Sequence, residues 1–364
     1  MGHGDYRSDV TLDIGSGVVA LTRQLVDVPS VSFNESALAE QVHDALLALQ
    51  HLDVTRIGNC VVARTALGKP TRVLMAGHLD TVPAAGNDRA QLDEATAVLR
   101  GLGSCDMKGG IAVMLRVLQC VANPSRDITA VFYDCEEVAS EHNGLGVLAQ
   151  RDAELLRADM AILLEPSNAG VEAGCQGTLR AVVRTTGVRA HTARAWRGKN
   201  AIHAAADILA RLNDYTPREP LIHGLQFREG LQAVAISGGV AGNVVPDDCA
   251  VTVNFRFAPD RPAAQAQEHV REVFQGFDIE FVDVAAGAMP GLDTPVIAEF
   301  IAAVGADVQP KLGWTDVARF SELGIPAINF GPGNPEFAHS PDEQVPLADL
   351  LACESVLVDW LSQH

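Results

Sequence analysis

The chain has 364 residues, of which 48% are hydrophobic and 20% charged, a composition typical of a globular protein of about two domains. Its formal net charge of −19, with no basic face or stripe, argues against nucleic-acid binding. No apolar stretch approaches the length of a bilayer span, and residues 1–13 lack the regions of a signal peptide, so we expect a cytoplasmic protein with no membrane partner. The seven cysteines are scattered singly without a CxxC pair, which argues against a thiolate zinc site.

The first half of the chain alternates between helical and strand patterns. Helical spacing of apolar residues is found over 17–28, 32–49 and 111–121. A strand pair is expected over 54–65 around Gly58, followed after the next strand by a loop over 81–100. A short unbroken apolar run over 73–76 is typical of a strand covered on both faces of a parallel sheet, and the mainly apolar segments 128–133 and 159–164 are predicted as two further buried strands. Buried strands with helices between them predict a doubly wound α/β domain.

The pattern changes after Gly177, where polar and apolar residues begin to alternate. In chain order the predicted segments are strand 178–186, helix 200–212, strand 231–240, strand 249–257, helix 263–274 and strand 279–284. This β-α-β-β-α-β order is that of a ferredoxin-like unit. We therefore predict an inserted domain over 177–287 and a first domain composed of residues 1–176 and 288–364. The first domain resumes with a helix over 295–304, a strand over 327–330 and a last helix from Leu347.

Acidic or imidazole side chains follow each buried strand of the first domain. With one aspartate in a glycine-rich loop and one late histidine, they are His78, Asp80, Asp106, Glu136, Glu137, Glu165 and His339. Taken singly, each has an ordinary explanation, such as a turn aspartate or a solvated surface pair. Because neighbouring strand ends lie about 5 Å apart, however, these side chains should converge, and carboxylates that converge without a cation repel one another. Histidine and carboxylate without cysteine suit zinc at an open catalytic site, with cobalt or manganese possible.

The same segments carry a family resemblance. The motifs are Gly77-His78-Leu79-Asp80-Thr81-Val82-Pro83, Gly103-Ser104-Cys105-Asp106-Met107-Lys108-Gly109-Gly110, Glu136-Glu137, Glu165-Pro166 and His339. In their order and spacing, over nearly the whole chain, they resemble the two-zinc amidohydrolase family of acetylornithine deacetylases, succinyl-diaminopimelate desuccinylases and carboxypeptidases. The resemblance implies a doubly wound α/β zinc-hydrolase catalytic domain with an inserted ferredoxin-like βαββαβ dimerisation domain.

The resemblance also implies a metal site with two Zn²⁺ ions per subunit, for which Co²⁺ or Mn²⁺ could substitute. His78 and Glu165 would bind one ion, and Glu137 and His339 the other. Asp106 would bridge the two ions.

Other residues around these ligands have implied roles. The peptide bond between Asp106 and Met107 is expected to be cis. Asp80 would hydrogen-bond His78 and orient it, and Glu136 would be the general base. The family usually has Asp-Glu-Glu where this chain has Cys135 before the glutamate pair, a departure that affects no implied ligand.

The inserted domain is implied to contribute to the site as well. His191 would reach the active site of the other subunit and stabilise the oxyanion, so the active enzyme would be a homodimer. Asn243 and Arg256 match substrate-binding positions of the family, and Arg319 lies in a segment that resembles one of the desuccinylases. Gly331 begins a turn expected to line the pocket near His339. Arg256 and Arg319 are candidates to bind substrate carboxylates.

The segments over 133–138 and 314–320 look most like those of the desuccinylases. The resemblance therefore implies hydrolysis of N-succinyl-LL-2,6-diaminopimelate to succinate and LL-diaminopimelate, a step of lysine and cell-wall precursor biosynthesis. An acetylornithine deacetylase, an aminoacylase or a dipeptidase on the same scaffold is the alternative, because the metal chemistry is the same for each amide. A non-catalytic binding homologue is a more distant alternative. Such a protein should have lost a metal ligand or the base, whereas this chain has all five implied ligands and Glu136.

Overall fold

The computed structural model describes residues 11–363, so residues 1–10 of the N-terminal stretch considered above, and His364, lie outside the described residues. The chain divides into two compact units. The first extends to Ala173 and also includes Gly291–Gln309 and the chain from Arg319 onward. The second comprises Gly174–Pro290 and Pro310–Ala318, compared with the predicted insertion over 177–287. None of the helices between residues 11 and 363 is both long and apolar enough to cross a membrane.

The first unit contains the helices and strands of a layered α/β structure. Up to residue 173 its strands are β1 (Asp53–Ile57), β2 (Cys60–Arg64), β3 (Arg72–His78), β4 (Gln91–Asp93), β5 (Val98–Arg100), β6 (Asp127–Tyr133), β7 (Met160–Leu163) and β8 (Glu172–Ala173). The helices in the same stretch are α1 (Val18–Val26), α2 (Ser36–Leu47), α3 (Lys108–Cys120) and α4 (Gly144–Arg151). The three predicted helices, the predicted strand pair and the three predicted buried strands are therefore confirmed.

The second unit contains eight strands and three α-helices. Its strands are β9 (Gly177–Thr186), β10 (Ala190–His191), β11 (Leu221–Ile222), β12 (Leu225–Gln226), β13 (Gly230–Gly238), β14 (Val244–Val245), β15 (Asp248–Phe257) and β16 (Asp278–Ala285). The helices are α5 (Ala201–Ala204), α6 (Ala206–Asn213) and α7 (Ala263–Val273). The last part of the chain adds α8 (Pro295–Val304), β17 (Gln309–Pro310), α9 (Val317–Glu322), β18 (Ala327–Asn329), β19 (Gln344–Pro346) and α10 (Leu347–Ser362).

The main sheet places the three predicted buried strands side by side. Its order is β1-β2-β6-β3-β7-β18-β8-β17, and β6, β3, β7 and β18 run parallel. His78 at the end of β3 is level with Tyr133 at the end of β6, and Ala76 is level with Leu163 of β7. Residues 73–76 are fully buried, as their apolar run predicts. The carboxyl ends of the three strands therefore meet at one edge, and the predicted α/β fold class is confirmed.

Helix α3 packs closely on this sheet because glycine removes the side chain at the contact. A Cβ atom on Gly110 would lie 2.2 Å from the carbonyl oxygen of Leu164, the residue after β7. Any larger residue would push the start of α3 away from the strand end. The loop before α3, which contains Asp106, is thus held beside the end of β7.

The loop predicted over 81–100 contains two strands that the sequence did not indicate. β4 and β5 pair with each other, and β5 pairs with β19, so the three form a separate sheet in the order β19-β5-β4. Only Leu99 is fully buried in this hairpin, and its partner Val345 is distant in the chain. The stabilising contact is therefore not visible in the local pattern. The helix predicted over 200–212 is found as α5 and α6, interrupted only at Ala205.

The second unit is an antiparallel sheet covered by helices. Its strand order is β13-β15-β9-β16, which with the chain order β9, α5 and α6, β13, β15, α7 and β16 is the ferredoxin-like arrangement predicted. The inward-facing residues Val183, Val251, Val253 and Phe255 form its core with α7 residues such as Val270. The role of this unit in dimerisation stays a prediction.

A buried ion cluster ties the hairpin-like segment before β13 to the segment after β15. Glu229 is 4% exposed and accepts two hydrogen bonds from Arg261, both at 3.0 Å, and one from Arg218 at 2.9 Å. The backbone N–H of Ala258 donates to the same carboxylate at 3.1 Å. Burial alone would raise the pKa of Glu229, but the two arginines outweigh it and hold the pKa below its ordinary value. The cluster stabilises the fold while Glu229 is ionised.

We predict that Glu229→Gln lowers the free energy of unfolding by about 3 kcal/mol at pH 7, because it leaves two arginines without their buried partner. The folded-state pKa is depressed, so this stabilisation is complete above the unfolded-state pKa of about 4.3 and is lost as the pH falls through the lower folded value. Urea unfolding at pH 7 and pH 3 measures the difference. The control is Glu268→Gln, which removes an exposed pair with Arg271 and should cost less than about 1 kcal/mol. Equal effects of both substitutions would contradict the prediction.

Candidate active site

The carboxyl edge of the main sheet gathers most of the predicted site residues. His78 ends β3, the Glu136–Glu137 pair follows β6, and Glu165 follows β7. Asp106 lies immediately before α3, and the peptide bond from Asp106 to Met107 is cis, as the resemblance predicts.

One group of side chains forms around the end of β3. The Nε2 atom of His78 lies 3.0 Å from Oδ1 of Asp106 and 4.0 Å from Oε1 of Glu165. One nitrogen or oxygen atom from each of the three residues lies within 4.8 Å of the others. His78 is 1% exposed and Glu165 6% exposed, so this group is shielded from solvent.

A second group lies on the other side of Asp106. The Nε2 atom of His339 is 2.8 Å from Oε1 of Glu137 and 3.4 Å from Oδ2 of Asp106. These three residues again bring their ligand atoms within 4.8 Å of one another. The side chain of His339 is 52% exposed, so the site opens to solvent on this side.

The two groups share one carboxylate, and their donor atoms suit two divalent cations. Asp106 directs Oδ1 at the first histidine and Oδ2 at the second. Each group offers one imidazole nitrogen and two carboxylates, the ligand set typical of catalytic zinc and also acceptable to cobalt and manganese. The residues present therefore fit a two-metal centre with Asp106 as the bridge.

The electrostatics of the site reflect this crowding of opposite charges. Hydrogen bonds to Asp106 and Glu137 raise the pKa of His339 to about 10. Burial lowers the pKa of His78, but its hydrogen bonds with Asp106 and Asp80 outweigh burial and raise that pKa well above the ordinary value. Burial would raise the pKa of Asp106, yet the two histidines hold it far below its usual range. The site thus favours ionised carboxylates next to positive charge, which a cation can supply.

The resemblance implies that Asp80 orients His78, and in the structure Asp80 also holds the backbone of other residues. Its backbone carbonyl oxygen lies 3.0 Å from Nδ1 of His78, and its carboxylate lies 3.5 Å from the same nitrogen. The carboxylate accepts hydrogen bonds from the backbone N–H groups of Glu136 at 2.9 Å and Glu137 at 3.0 Å. The hydroxyl of Ser32 donates to it at 2.8 Å. One fully buried aspartate therefore positions segments that follow two neighbouring strands.

Two buried glutamates near the site were missed by sequence reasoning. Glu343 is 1% exposed, and its Oε1 accepts hydrogen bonds from the backbone N–H groups of Cys105 and Asp106, both at 3.0 Å. Burial raises the pKa of Glu343 to about 7. It fixes the backbone of the shared ligand. Its sequence context, Pro341-Asp342-Glu343, resembles an ordinary acidic loop, and no spacing signal marks it.

The other missed residue is Glu35, which holds the backbone of Cys135, the residue before the Glu136–Glu137 pair. Its Oε1 accepts hydrogen bonds from the backbone N–H of Phe33 at 2.8 Å and of Cys135 at 3.3 Å, and the Cys135 thiol lies 3.4 Å from the same oxygen. Burial raises the pKa of Cys135 to about 12, so the residue is a thiol and a hydrogen-bond donor here. An aspartate at position 135, usual in the family, would instead bring two carboxylates together.

The predicted substrate-binding residues lie in different parts of the chain. In the first unit, Arg319 donates to the hydroxyl of Ser140 at 2.8 Å. Gly331 packs so closely that a Cβ atom would lie 2.3 Å from the carbonyl oxygen of Leu164 and 2.5 Å from that of Glu165. Gly331 therefore supports the backbone of a candidate metal ligand.

The other three predicted residues belong to the second unit. His191 on β10 is paired with Val244 on β14, next to Asn243, whose carbonyl accepts from the N–H of Thr192 at 3.0 Å. The exposed His191 accepts a hydrogen bond at Nδ1 from the N–H of Ala193 at 3.0 Å. Arg256 is partly buried on β15, and burial lowers its pKa. The structure thus brings His191 and Asn243 together within this unit.

Comparisons with known proteins agree with this fold. The chain is 50% identical over 355 residues to a putative succinyl-diaminopimelate desuccinylase of Mycobacterium tuberculosis, covering 96% of this chain and 99% of that protein. It is 44% identical over 363 residues to the succinyl-diaminopimelate desuccinylase of Corynebacterium glutamicum, covering 97% and 98% of the two chains. The crystal structure of a tripeptidase from Staphylococcus aureus has the same fold, with a TM-score of 0.79 at 22% identity over 97% of this chain and 98% of that one.

The family resemblance inferred from the motifs is confirmed by a match that covers most of the chain. Residues 74–363 fit the model of peptidase family M20/M25/M40, a range that includes all the candidate metal ligands. The chain therefore belongs to peptidase family M20/M25/M40.

Proposed function

We propose that this protein is a two-metal amidohydrolase that cleaves N-succinyl-LL-2,6-diaminopimelate to succinate and LL-diaminopimelate. The observation that carries the reaction class is the shared carboxylate of Asp106, which gives one oxygen to the group of His78 and one to the group of His339. Two cations bridged in this way are typical of enzymes that hydrolyse amides.

In this proposal His78 and Glu165 hold one ion, His339 and Glu137 hold the other, and Asp106 holds both. Two Zn²⁺ per subunit, or Co²⁺ or Mn²⁺ in their place, would act as Lewis acids toward the amide carbonyl. They would also lower the pKa of water toward neutrality.

Glu136 is the proposed general base. One of its carboxylate oxygens lies within 4.8 Å of a ring nitrogen of His78 and a carboxylate oxygen of Glu137. Its backbone is fixed by Asp80, so the side chain can take a proton from the attacking water and return it to the leaving amine. The neighbouring Glu137, one residue later, is assigned to the metal instead.

We predict that Glu136→Gln retains about two zinc ions per chain but lowers kcat by at least about a hundredfold, because glutamine cannot accept the proton. Elemental analysis measures the zinc content, and steady-state kinetics at saturating substrate measures kcat. His339→Ala should show a different pattern, with zinc content falling toward one ion per chain, since it removes a proposed ligand.

The matched control for this experiment is Glu141→Gln. Glu141 is close in sequence, and its side chain is 79% exposed beside His142. Its substitution should leave both zinc content and kcat unchanged. Full activity in Glu136→Gln would overturn the assignment of the base, whatever the substrate.

The substrate choice is supported by the two desuccinylase relatives, which share 44% and 50% of their residues with this chain. Arg256 and Arg319 are proposed to bind substrate carboxylates. An acetylornithine deacetylase, an aminoacylase and a dipeptidase remain the alternatives on this scaffold. As part of the same proposal, we expect the enzyme in the cytoplasm, because its proposed role is biosynthetic.

We predict that kcat/KM for N-succinyl-LL-2,6-diaminopimelate exceeds that for N-acetylornithine by about tenfold or more, because only the former offers a succinyl carboxylate for a charged hydrogen bond. Both substrates, with a hippuryl amide and a dipeptide, are assayed in parallel at one zinc concentration. Protein stripped of metal is the blank. If kcat/KM were instead about tenfold higher for N-acetylornithine, the substrate choice would be refuted, but the reaction class would stand.

We also propose that the active form is a homodimer assembled through the second unit, in which His191 serves the site of the other subunit. The exposed edge of the sheet supports this. In β13, every residue from Gln232 to Gly238 is exposed, and Val234 and Ile236 are 59% and 54% exposed. Ile236 pairs with the core residue Val251 of β15, yet it is itself exposed on the edge strand. An apolar edge strand with free backbone groups is a template for pairing with a second chain.

We predict that Ile236→Lys converts the dimer to a monomer at micromolar concentration, because lysine on an edge strand blocks strand pairing. Sedimentation velocity measures the change. The control is Val282→Lys, which places the same charge on β16, the other edge strand, where Val282 is 55% exposed. His191→Ala should instead lose activity and stay dimeric. A monomer with full activity would contradict the role of His191.

A further inference from the structure

A cavity of about 690 Å³ lies at the end of the main sheet opposite to the metal site. Arg64, the last residue of β2, and Arg72, the first residue of β3, both line it. β3 continues from Arg72 to His78, and seven residues of strand span about 20 Å. The cavity is therefore separate from the site described above. It lies wholly within the first unit.

Arg64 is partly buried, and one of its donor atoms lacks, in the described part of the chain, the partner that a buried donor normally has. Its Nε atom is buried and has no hydrogen-bond partner within residues 11–363. Arg72 beside it is held firmly, with hydrogen bonds of 2.9 Å to the carbonyl oxygens of Ile128 and Thr65. Burial and the positive charge of Arg64 together lower the pKa of Arg72. Two cationic groups thus lie close enough to repel each other.

Arg72 lies 3.6 Å from a carboxylate oxygen of Asp127, whereas the carboxylates that line the cavity are held by groups other than Arg64. Asp159 accepts the backbone N–H of Arg72 at 2.7 Å, and Glu154 pairs with the exposed Arg157 at 3.1 Å. Because the Nε atom is closed to solvent, a ligand in the cavity would bind Arg64 through the part of its side chain that lines the cavity.

The rest of the lining indicates the kind of ligand. Leu323 and Ile325 provide an apolar wall, and the volume lies in the range of sites for small organic molecules. The planar guanidinium group matches phosphate and carboxylate oxygens. We propose that this cavity binds a small organic anion whose phosphate or carboxylate group is held by Arg64, with Arg157 at the rim.

Calorimetric titration of the zinc-loaded enzyme with inorganic phosphate and with glutarate, at constant ionic strength, tests the proposal. Arg64→Gln should weaken the binding of at least one of the two anions by about tenfold or more. Arg56→Gln, the same substitution on the paired strand β1 but outside the cavity, should leave binding unchanged. Binding of either anion at the metal site is common to all variants and cancels in the comparison.

The two probes also identify the ligand class. Loss of phosphate binding alone indicates a phosphate ester, and loss of glutarate binding alone indicates a carboxylate. Arg157→Gln is the second variant, because its exposed side chain can be changed without disturbing the fold, and it should weaken binding of the same anion. Equal affinities in wild type, Arg64→Gln and Arg157→Gln for both anions would overturn the proposal.

Discussion

The carboxylate of Asp106, placed between two histidines, is the constraint on which the rest of the site depends. Each of its oxygens belongs to a different group of candidate ligands, so a small rotation of the side chain would disrupt both. The buried Glu343 fixes this part of the loop by accepting hydrogen bonds from the backbone N–H groups of Asp106 and of the preceding Cys105. The close contact of Gly110 with the carbonyl of Leu164 then holds this loop against the strand end that precedes Glu165. Precise placement of one residue requires the packing of a helix, a sheet and a distant loop.

Asp80 has a comparable organising role between neighbouring strands. Through its carbonyl it lies next to the ring of His78, and through its carboxylate it accepts the N–H groups of Glu136 and Glu137. Burial alone would raise its pKa, but these hydrogen bonds lower it, so the residue remains an acceptor. A proposed ligand, the proposed base and a second ligand are thus oriented together. Their relative positions depend on one buried side chain.

The charge of the molecule is arranged locally, and its net value says little about any one site. Carboxylates gather at the carboxyl edge of the main sheet, where Asp106, Glu137 and Glu165 meet two histidines. Arginines gather at the amino edge, where Arg64 and Arg72 line the cavity. At separations of a few ångströms in partly buried surroundings, neighbouring groups outweigh the field of distant surface charges. A chain of net charge −19 can therefore present a cationic cavity.

The sequence by itself determined the elements and the chemical types at the site. Apolar runs located β3, β6 and β7, and helical spacing located α8 with its observed bounds, because burial and periodicity are local properties of the chain. The side chains after those strands identified the histidines and carboxylates that the structure brings together. The alternating segments after Gly177 likewise predicted the order of the ferredoxin-like unit.

Only the tertiary structure decided which of these groups touch and which other residues hold them. The order β6-β3-β7 makes the strand ends level, and pairing of strands is not encoded in any single strand. Glu343 contacts the amide of Cys105 across 238 residues of sequence, and packing leaves the Nε atom of Arg64 without a hydrogen-bond partner within residues 11–363. Contacts at such separations depend on how whole elements pack, so the local pattern of apolar and polar residues carries no record of them.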